Sequence, residues 1–186
     1  MNKSSKRAQS IVGTNNDGGR PEHDFYPTPP EATRALLGKE AFGEYVWEPA
    51  CGNGAMSKVI EERGHRVYSS DIEPRGYGDK LNFLESMTLN ATDIITNPPF
   101  RLALEFAQHS LNLGARKVAL LCKLCFLEGQ TRADWLERSP LSKVLVFKKR
   151  IQFTRNGEES RGGGMIAFAW FVWERGYTGA PIIRWI

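Results

Sequence analysis

From residue 24 onward, short apolar runs alternate with amphipathic stretches. The runs are Tyr45–Trp47, Val67–Ser69, Ile94–Thr96, Val118–Cys122, Val144–Phe147 and Ile166–Trp173. Each is apolar at consecutive positions, as expected for strands of a mainly parallel sheet covered on both faces. Between them the pattern takes a helical period. Ala55–Arg63 places Met56, Val59 and Ile60 on one face and stops at Gly64, and Arg101–Leu113 does the same with Leu102, Phe106 and Leu113 before Gly114. Strand and helix in alternation predict a doubly wound α/β domain over residues 24–186. Trp170, Phe171 and Trp173 are read as core filling of a central strand. Residues 1–23 are polar and rich in Ser, Asn, Gly, Lys and Arg, and read as a flexible basic arm. Arg155–Gly164 is polar and glycine-rich between two strands, and reads as a mobile loop.

Composition narrows the class. The 186 residues are 41% hydrophobic and 25% charged, ordinary for a globular protein. No apolar run reaches the roughly 18 residues of a membrane helix, and the polar start Met1–Arg7 has no signal-like apolar core. Three cysteines cannot all pair, which favours a reducing cytoplasm. The net charge of +4 is concentrated in Lys3, Lys6, Arg7 and Arg20 against Asp17, so the folded part is nearly neutral and any basic patch is local. Cys122 and Cys125 form one isolated pair at odd spacing, and His23, His65 and His109 are scattered, so no metal is expected.

Three segments carry chemistry. The first predicted strand runs into Glu48-Pro49-Ala50-Cys51-Gly52-Asn53-Gly54 and then a helix. Two glycines let that backbone turn sharply and approach a ligand beyond the carboxyl end of the strand. Ser57 stands where a dinucleotide fingerprint needs a third glycine, which argues against a nicotinamide enzyme. Asp71 closes the second strand, where a carboxylate accepts hydrogen bonds from a ribose hydroxyl pair. The third strand-end segment is Asn97-Pro98-Pro99-Phe100. Its prolines fix the backbone and remove two donors, leaving the Asn97 side-chain oxygen and the Pro98 carbonyl to accept from one amino group, with Phe100 as a flat face for a planar ring.

Taken together, the Glu48–Gly54 loop and Ser70-Asp71-Ile72 resemble motifs I and II of the class I S-adenosylmethionine-dependent methyltransferases. Asn97–Phe100 resembles motif IV of the amino-methyltransferases, and Tyr26-Pro27-Thr28 within Asp24–Pro30 resembles motif X of adenine-N6 DNA methyltransferases. Cys125–Gln130 and the Trp170–Trp173 strand resemble phage and prophage members of that group. The resemblance implies a Rossmann-like, mostly parallel seven-stranded sheet with an antiparallel last strand. It implies S-adenosyl-L-methionine as cofactor, held by Tyr26, Pro27, Thr28, Glu48, Ala50, Gly52, Gly54, Asp71, Ile72, Asn82, Phe83 and Asn97. It implies transfer to adenine N6 in DNA, with the base flipped into a site made by Asn97, Pro98, Pro99 and Phe100. RNA guanine-N2 and protein-glutamine methylation use the same tetrapeptide, and a silent nucleic-acid-binding relative is a further alternative. These 186 residues leave no room beside the methyltransferase domain for a separate target-recognition domain, so none is expected, and a short or loose recognition sequence is expected. Arg132 in Glu128–Ser142, and Lys148, Lys149, Arg150, Arg155 and Arg161 in the segment after the Val144–Phe147 run, are the candidates for DNA phosphates. A monomer is compatible with this single domain.

Overall fold

The computed structural model describes residues 27–153 and 166–186. The predicted arm over 1–23, Tyr26, the Arg155–Gly164 loop and the side chains of Arg155 and Arg161 lie outside the described residues. Eight strands form one sheet: β1 Tyr45–Glu48, β2 Arg66–Asp71, β3 Asp79–Lys80, β4 Asp93–Thr96, β5 Lys117–Lys123, β6 Leu141–Val146, β7 Phe168–Glu174 and β8 Ile182–Trp185. Their order is β3-β2-β1-β4-β5-β7-β6-β8. All pairs are parallel except those of β7, which runs antiparallel between β5 and β6. The predicted antiparallel strand is thus present, inserted into the sheet, and one strand lies beyond it in sequence. That strand, β8, pairs with β6 at the edge and is exposed along its length, so no burial pattern announced it.

Helices cover both faces: α1 Pro30–Leu37, α2 Ala55–Glu62, α3 Ala103–Asn112 and α4 Gln130–Arg138. Alternate strand residues divide between two cores. Trp47, Ile94, Val118, Leu120, Phe171 and Trp173 pack with Phe106 and Ala107 of α3 and Leu136 of α4. Val46, Ile95, Ala119, Leu121, Trp170 and Val172 pack with Ala32 and Leu36 of α1 and Met56 and Ile60 of α2. This is why Val118–Cys122 and Phe168–Trp173 are apolar at every position. Trp170, Phe171 and Trp173 are fully buried, as expected for core residues. Burying such a side chain contributes about 1.5–3 kcal/mol each.

One helix begins later than its periodicity suggests. Pro98 and Pro99 hold the chain extended, so a 3-10 turn over Phe100–Leu102 precedes α3, and Leu102 is 39% exposed rather than part of the buried stripe. The strand order reverses between β1 and β4. Open α/β sheets bind ligands at such a switch point, beyond the carboxyl ends of the strands. Both the glycine loop and Asn97–Phe100 leave the sheet there.

Candidate functional site

The glycine loop is tied to the end of β2. The Gly52 N–H donates to Asp71 Oδ2 at 2.8 Å, the Glu73 N–H donates to Asp71 Oδ1 at 2.9 Å, and the Cys51 N–H donates to the Ser70 carbonyl at 3.0 Å. Each Asp71 oxygen retains capacity for another donor. Gly54 has φ +76°, and a Cβ there would lie 2.4 Å from the Tyr77 ring. Tyr77 Oη donates to Glu61 at 3.2 Å, so the ring is clamped against the loop from the α2 side. Sequence reasoning missed Tyr77, although its position between Gly76 and Gly78 marks a tightly turned segment. Beside Asp71, Ile72 is 46% exposed, an apolar surface at the carboxyl end of β2.

Glu48 requires a correction. Its side chain is 2% exposed and is turned under the loop, where it accepts a hydrogen bond from Ser57, whose hydroxyl is 2.7 Å from Ser69 Oγ. Burial raises its pKa to about 8, against the hydrogen bonds from Ser57. Glu48, expected at the cofactor, thus fastens β1 to α2 through Ser57. Ser57, at the position where a dinucleotide fingerprint has glycine, is its partner. Burial, then the charges of Glu48 and Asp71, push the Cys51 thiol up to about 12, so it is no nucleophile.

Asn97 leaves β4 at the rim of the sheet. Its Nδ2 donates to Thr28 Oγ1 at 3.1 Å, which joins the tetrapeptide to the Pro27–Pro29 turn before α1. Among the described residues its buried Oδ1 has no hydrogen-bond partner, and neither has the buried Thr96 Oγ1; Thr33 Oγ1, Asp93 Oδ1 and His109 Nε2 share this condition elsewhere. A buried acceptor without a partner costs about 1–3 kcal/mol, so such an atom needs an explanation. Phe100 lies 5.5 Å from the Phe168 ring, which is 4.8 Å from Phe153. Lys123 Nζ stands 4.7 Å from the Phe100 centroid. Sequence reasoning missed Lys123 as well; its place at the carboxyl end of β5 was the available signal.

Other predicted residues have different tasks. Phe83 is 2% exposed and packs at 5.1 Å from Trp47 and 4.9 Å from Phe106, so it is core and does not line the site. Asn82 Oδ1 accepts from the Leu84 N–H at 3.2 Å and caps the turn over Phe83–Glu85. Ala50 packs against the core on the α3 side. Arg132 Nε donates to the Glu128 and Phe126 carbonyls at 2.8 and 3.2 Å, which makes it a brace for the turn before α4. Lys148 and Lys149 are exposed. Arg150, expected at DNA, lines a cavity with Thr28 and Ala55. Cys122 is buried in β5, whereas Cys125 lies beyond the strand in the 3-10 turn Leu124–Leu127 and is exposed. Among the described residues, no cluster of His, Cys, Asp and Glu could hold a metal ion, and no helix is long and apolar enough to cross a membrane.

No protein-family model matches the chain, and no curated protein matches it. Solved structures do. A modification subunit of a candidate type I restriction enzyme from Vibrio vulnificus YJ016 aligns over 93% of this chain with TM-score 0.57 and 16% identity. A dimethyladenosine transferase from Plasmodium falciparum aligns over 81% with TM-score 0.57 and 12% identity. The chain spans 48% of the first and 63% of the second. A structure described for conversion of a disulfide bond into a thioacetal group in echinomycin biosynthesis aligns over 96% of this chain and 95% of its own, with TM-score 0.56 and 16% identity. The chain thus has the Rossmann-like α/β fold of these structures, the transferases among them.

Proposed function

We propose that the protein transfers a methyl group from S-adenosylmethionine to the exocyclic N6 amine of adenine in DNA. The observation that carries this reading is Asn97 Oδ1, buried at the sheet's switch point and unpartnered among the described residues. An acceptor held there, on a backbone stiffened by Pro98 and Pro99, suits one N–H of an amino group. The Pro98 carbonyl suits the other. Two acceptors on one planar amine favour a pyramidal nitrogen and return its lone pair, which is otherwise delocalised into the ring. Asn97 is itself oriented by Thr28, so the acceptor is aimed before a substrate arrives.

Several residues fit the cofactor. The Gly52–Gly54 turn leaves the backbone open to close approach, Asp71 has acceptor capacity for ribose hydroxyls, and exposed Ile72 offers a face for an adenine ring. When bound, the cofactor supplies an electrophilic sulfonium methyl. The chain's own contribution is alignment and charge placement, and water accepts the proton from the product amine. Phe100 stacks the flipped base on the site that the Lys123 ammonium covers, and exposed Lys148 and Lys149 contact phosphates. DNA is favoured by the resemblance of Tyr26–Thr28 to motif X and by a similar structure that is the modification subunit of a restriction enzyme, and an adenine amine by a second that is a dimethyladenosine transferase.

The test incubates the protein with S-adenosylmethionine and unmethylated DNA or RNA, followed by digestion to nucleosides and mass spectrometry. N6-methyladenine from DNA is expected. Methylguanine from RNA, or no methylated nucleoside from either, overturns the assignment.

A further inference from the structure

The β8 edge of the sheet, away from the switch point, carries an open cavity of about 590 Å³. Lys39, Glu40, Lys143, Leu145, Arg184 and Trp185 line it. We propose that this edge is a second DNA contact, in which Lys39 and Arg184 hold phosphates of the duplex arm flanking the target base and continue the contact made by Lys148 and Lys149. This rests on the function proposed above.

Strand register builds the cavity. Leu145 packs with Leu36 of α1, and Arg184 is its partner across β6 and β8, so Arg184 stands on the same face of the sheet. Lys39 follows the end of α1 and reaches the same cavity. The charges there divide into two sets. Glu40 and Glu174 share Lys117 and Lys143, so two carboxylates offset two ammoniums. Lys39 and Arg184 are exposed and, among the described residues, have no hydrogen-bond or ion-pair partner. Two cations are thus left over in one concavity. The same edge continues into more positive charge. The Lys148 N–H donates to the Ile186 carbonyl at 2.8 Å, which places Lys148 and Lys149 beside the carboxyl end of β8. The folded part of the chain is nearly neutral, so these four cations along one edge are a local concentration.

A phosphate backbone matches such a line, because each phosphate takes a cation without regard to base sequence. A protein strand added to β8 would use the strand's backbone and exposed Ile183, and would owe little to Lys39, which belongs to no strand. The placement also suits a duplex. β8 runs parallel to β4, so its carboxyl end shares the rim of Asn97. In the order β4-β5-β7-β6-β8 it lies four steps away, about 19 Å at roughly 4.8 Å per step. That span is about 6 base pairs of duplex.

The experiment uses two labelled duplexes, each with one mismatched adenine at its centre, which is easily flipped and fixes the target position. One has arms of about 4 base pairs and the other about 10, so only the second reaches the β8 edge. Fluorescence anisotropy across a salt series measures binding. With long arms, the double variant Lys39→Gln, Arg184→Gln should bind about tenfold or more weaker than wild type, with a log–log salt slope smaller by about 2. With short arms the two proteins should agree within about twofold. Lys39→Arg with Arg184→Lys should restore the wild-type slope, since phosphate contact needs the charge at each place. Calorimetric affinity for S-adenosylhomocysteine should be the same in all three proteins. An unchanged slope with long arms, or equal loss on both duplexes, overturns the inference while leaving the proposed function intact. A wild-type protein that binds neither duplex and methylates no DNA overturns both.

Discussion

The two ends of one sheet treat polar groups in opposite ways. At the amino-terminal rim every buried charge has a partner. Glu40 accepts from Lys117 and Lys143, both at 3.0 Å, and Glu174 accepts from Lys143 at 2.9 Å. Asp93 at the start of β4 pairs with Arg116 and accepts from the Gly43 N–H at 2.6 Å. At the carboxyl-terminal rim, Asn97 Oδ1 and Thr96 Oγ1 are buried without partners among the described residues, Ile72 is exposed, and Lys123 rests on an aromatic face. At the first rim ionised groups meet opposite charges, which is what structural charge looks like, although Asp93 Oδ1 there is also buried without a partner among the described residues. At the second rim the unpartnered atoms belong to uncharged side chains, and they describe the ligands it would accept. Charge pairing distinguishes the two rims; an unpartnered buried atom alone does not.

The largest expected effect tests the carboxyl-terminal rim. Asn97→Ala should lower methyl transfer by about a hundred- to a thousandfold, the cost of removing one oriented group of this kind. The thermal midpoint should change little, because loss of the Thr28 hydrogen bond opposes removal of an unpartnered buried atom. Single-turnover kinetics beside a melting curve decide it. Retained activity would remove Asn97 from the chemistry, and a large fall in midpoint would make the atom part of the scaffold.

Glu40→Met tests the amino-terminal rim. It leaves Lys117, 6% exposed, with only Glu174 at 3.7 Å. Loss of one partner from a buried network should cost about 3 kcal/mol of stability. The affinity for S-adenosylhomocysteine should not change, since no part of this network touches the switch point. Urea unfolding and calorimetry measure the two quantities separately.

The rims also differ in how far the sequence disclosed them. The doubly wound topology was legible because Val118–Cys122 and Ile166–Trp173 are apolar on consecutive positions, which only a sheet covered on both faces requires. The places of Gly52, Gly54, Asp71 and Asn97 at the strand ends were legible because special backbone geometry and position there select those residue types. The burial of Glu48 was not legible: its place before a glycine loop matches a ligand carboxylate, and only packing shows it turned toward Ser57. The same holds for Phe83, since an aromatic residue beside a predicted site looks the same in sequence whether it is exposed there or packed in the core. The placements of Tyr77 and Lys123 depend on contacts between distant segments, and spacing carries no record of those. The amino-terminal rim was invisible, because Glu40, Lys117, Lys143 and Glu174 come from four separate elements.

Acid–base behaviour sharpens the comparison at a smaller scale. Burial holds the Glu48 carboxyl at about 8 in the folded state against an ordinary 4.5. Between those values the native state keeps a proton that the unfolded chain has released. Its contribution to stability is therefore complete below about pH 4.5 and is lost as the pH rises to about 8, with a limiting slope of about 1.4 kcal/mol per pH unit. Glu174 has the opposite sign. Burial opposes its charge, but Lys143, Lys117 and Ser142 outweigh that and hold its carboxyl below the ordinary value, so its stabilisation is lost on acidification. Glu48→Gln should remove the alkaline decline and leave the acid decline in place. Denaturant midpoints taken across this range should show it; an unchanged alkaline slope would return Glu48 to an ionised, ligand-facing role.

The smallest effect concerns how the open rim is held open. Gly54→Ala places a methyl group in a left-handed conformation, which costs roughly 1–2 kcal/mol, and drives it into the Tyr77 ring 2.4 Å away. These two costs separate in a double-mutant cycle. In a Tyr77→Ala background the ring is gone, so Gly54→Ala should retain only the backbone strain of about 1 kcal/mol. If Tyr77 buttresses the loop, Tyr77→Ala alone should weaken S-adenosylhomocysteine binding with little change in global stability, because its hydroxyl partner Glu61 is exposed and the loss is local. Additive costs in the cycle would mean the ring yields freely. The glycine would then be required only for its backbone, and the loop would owe its shape to the Asp71 bonds alone.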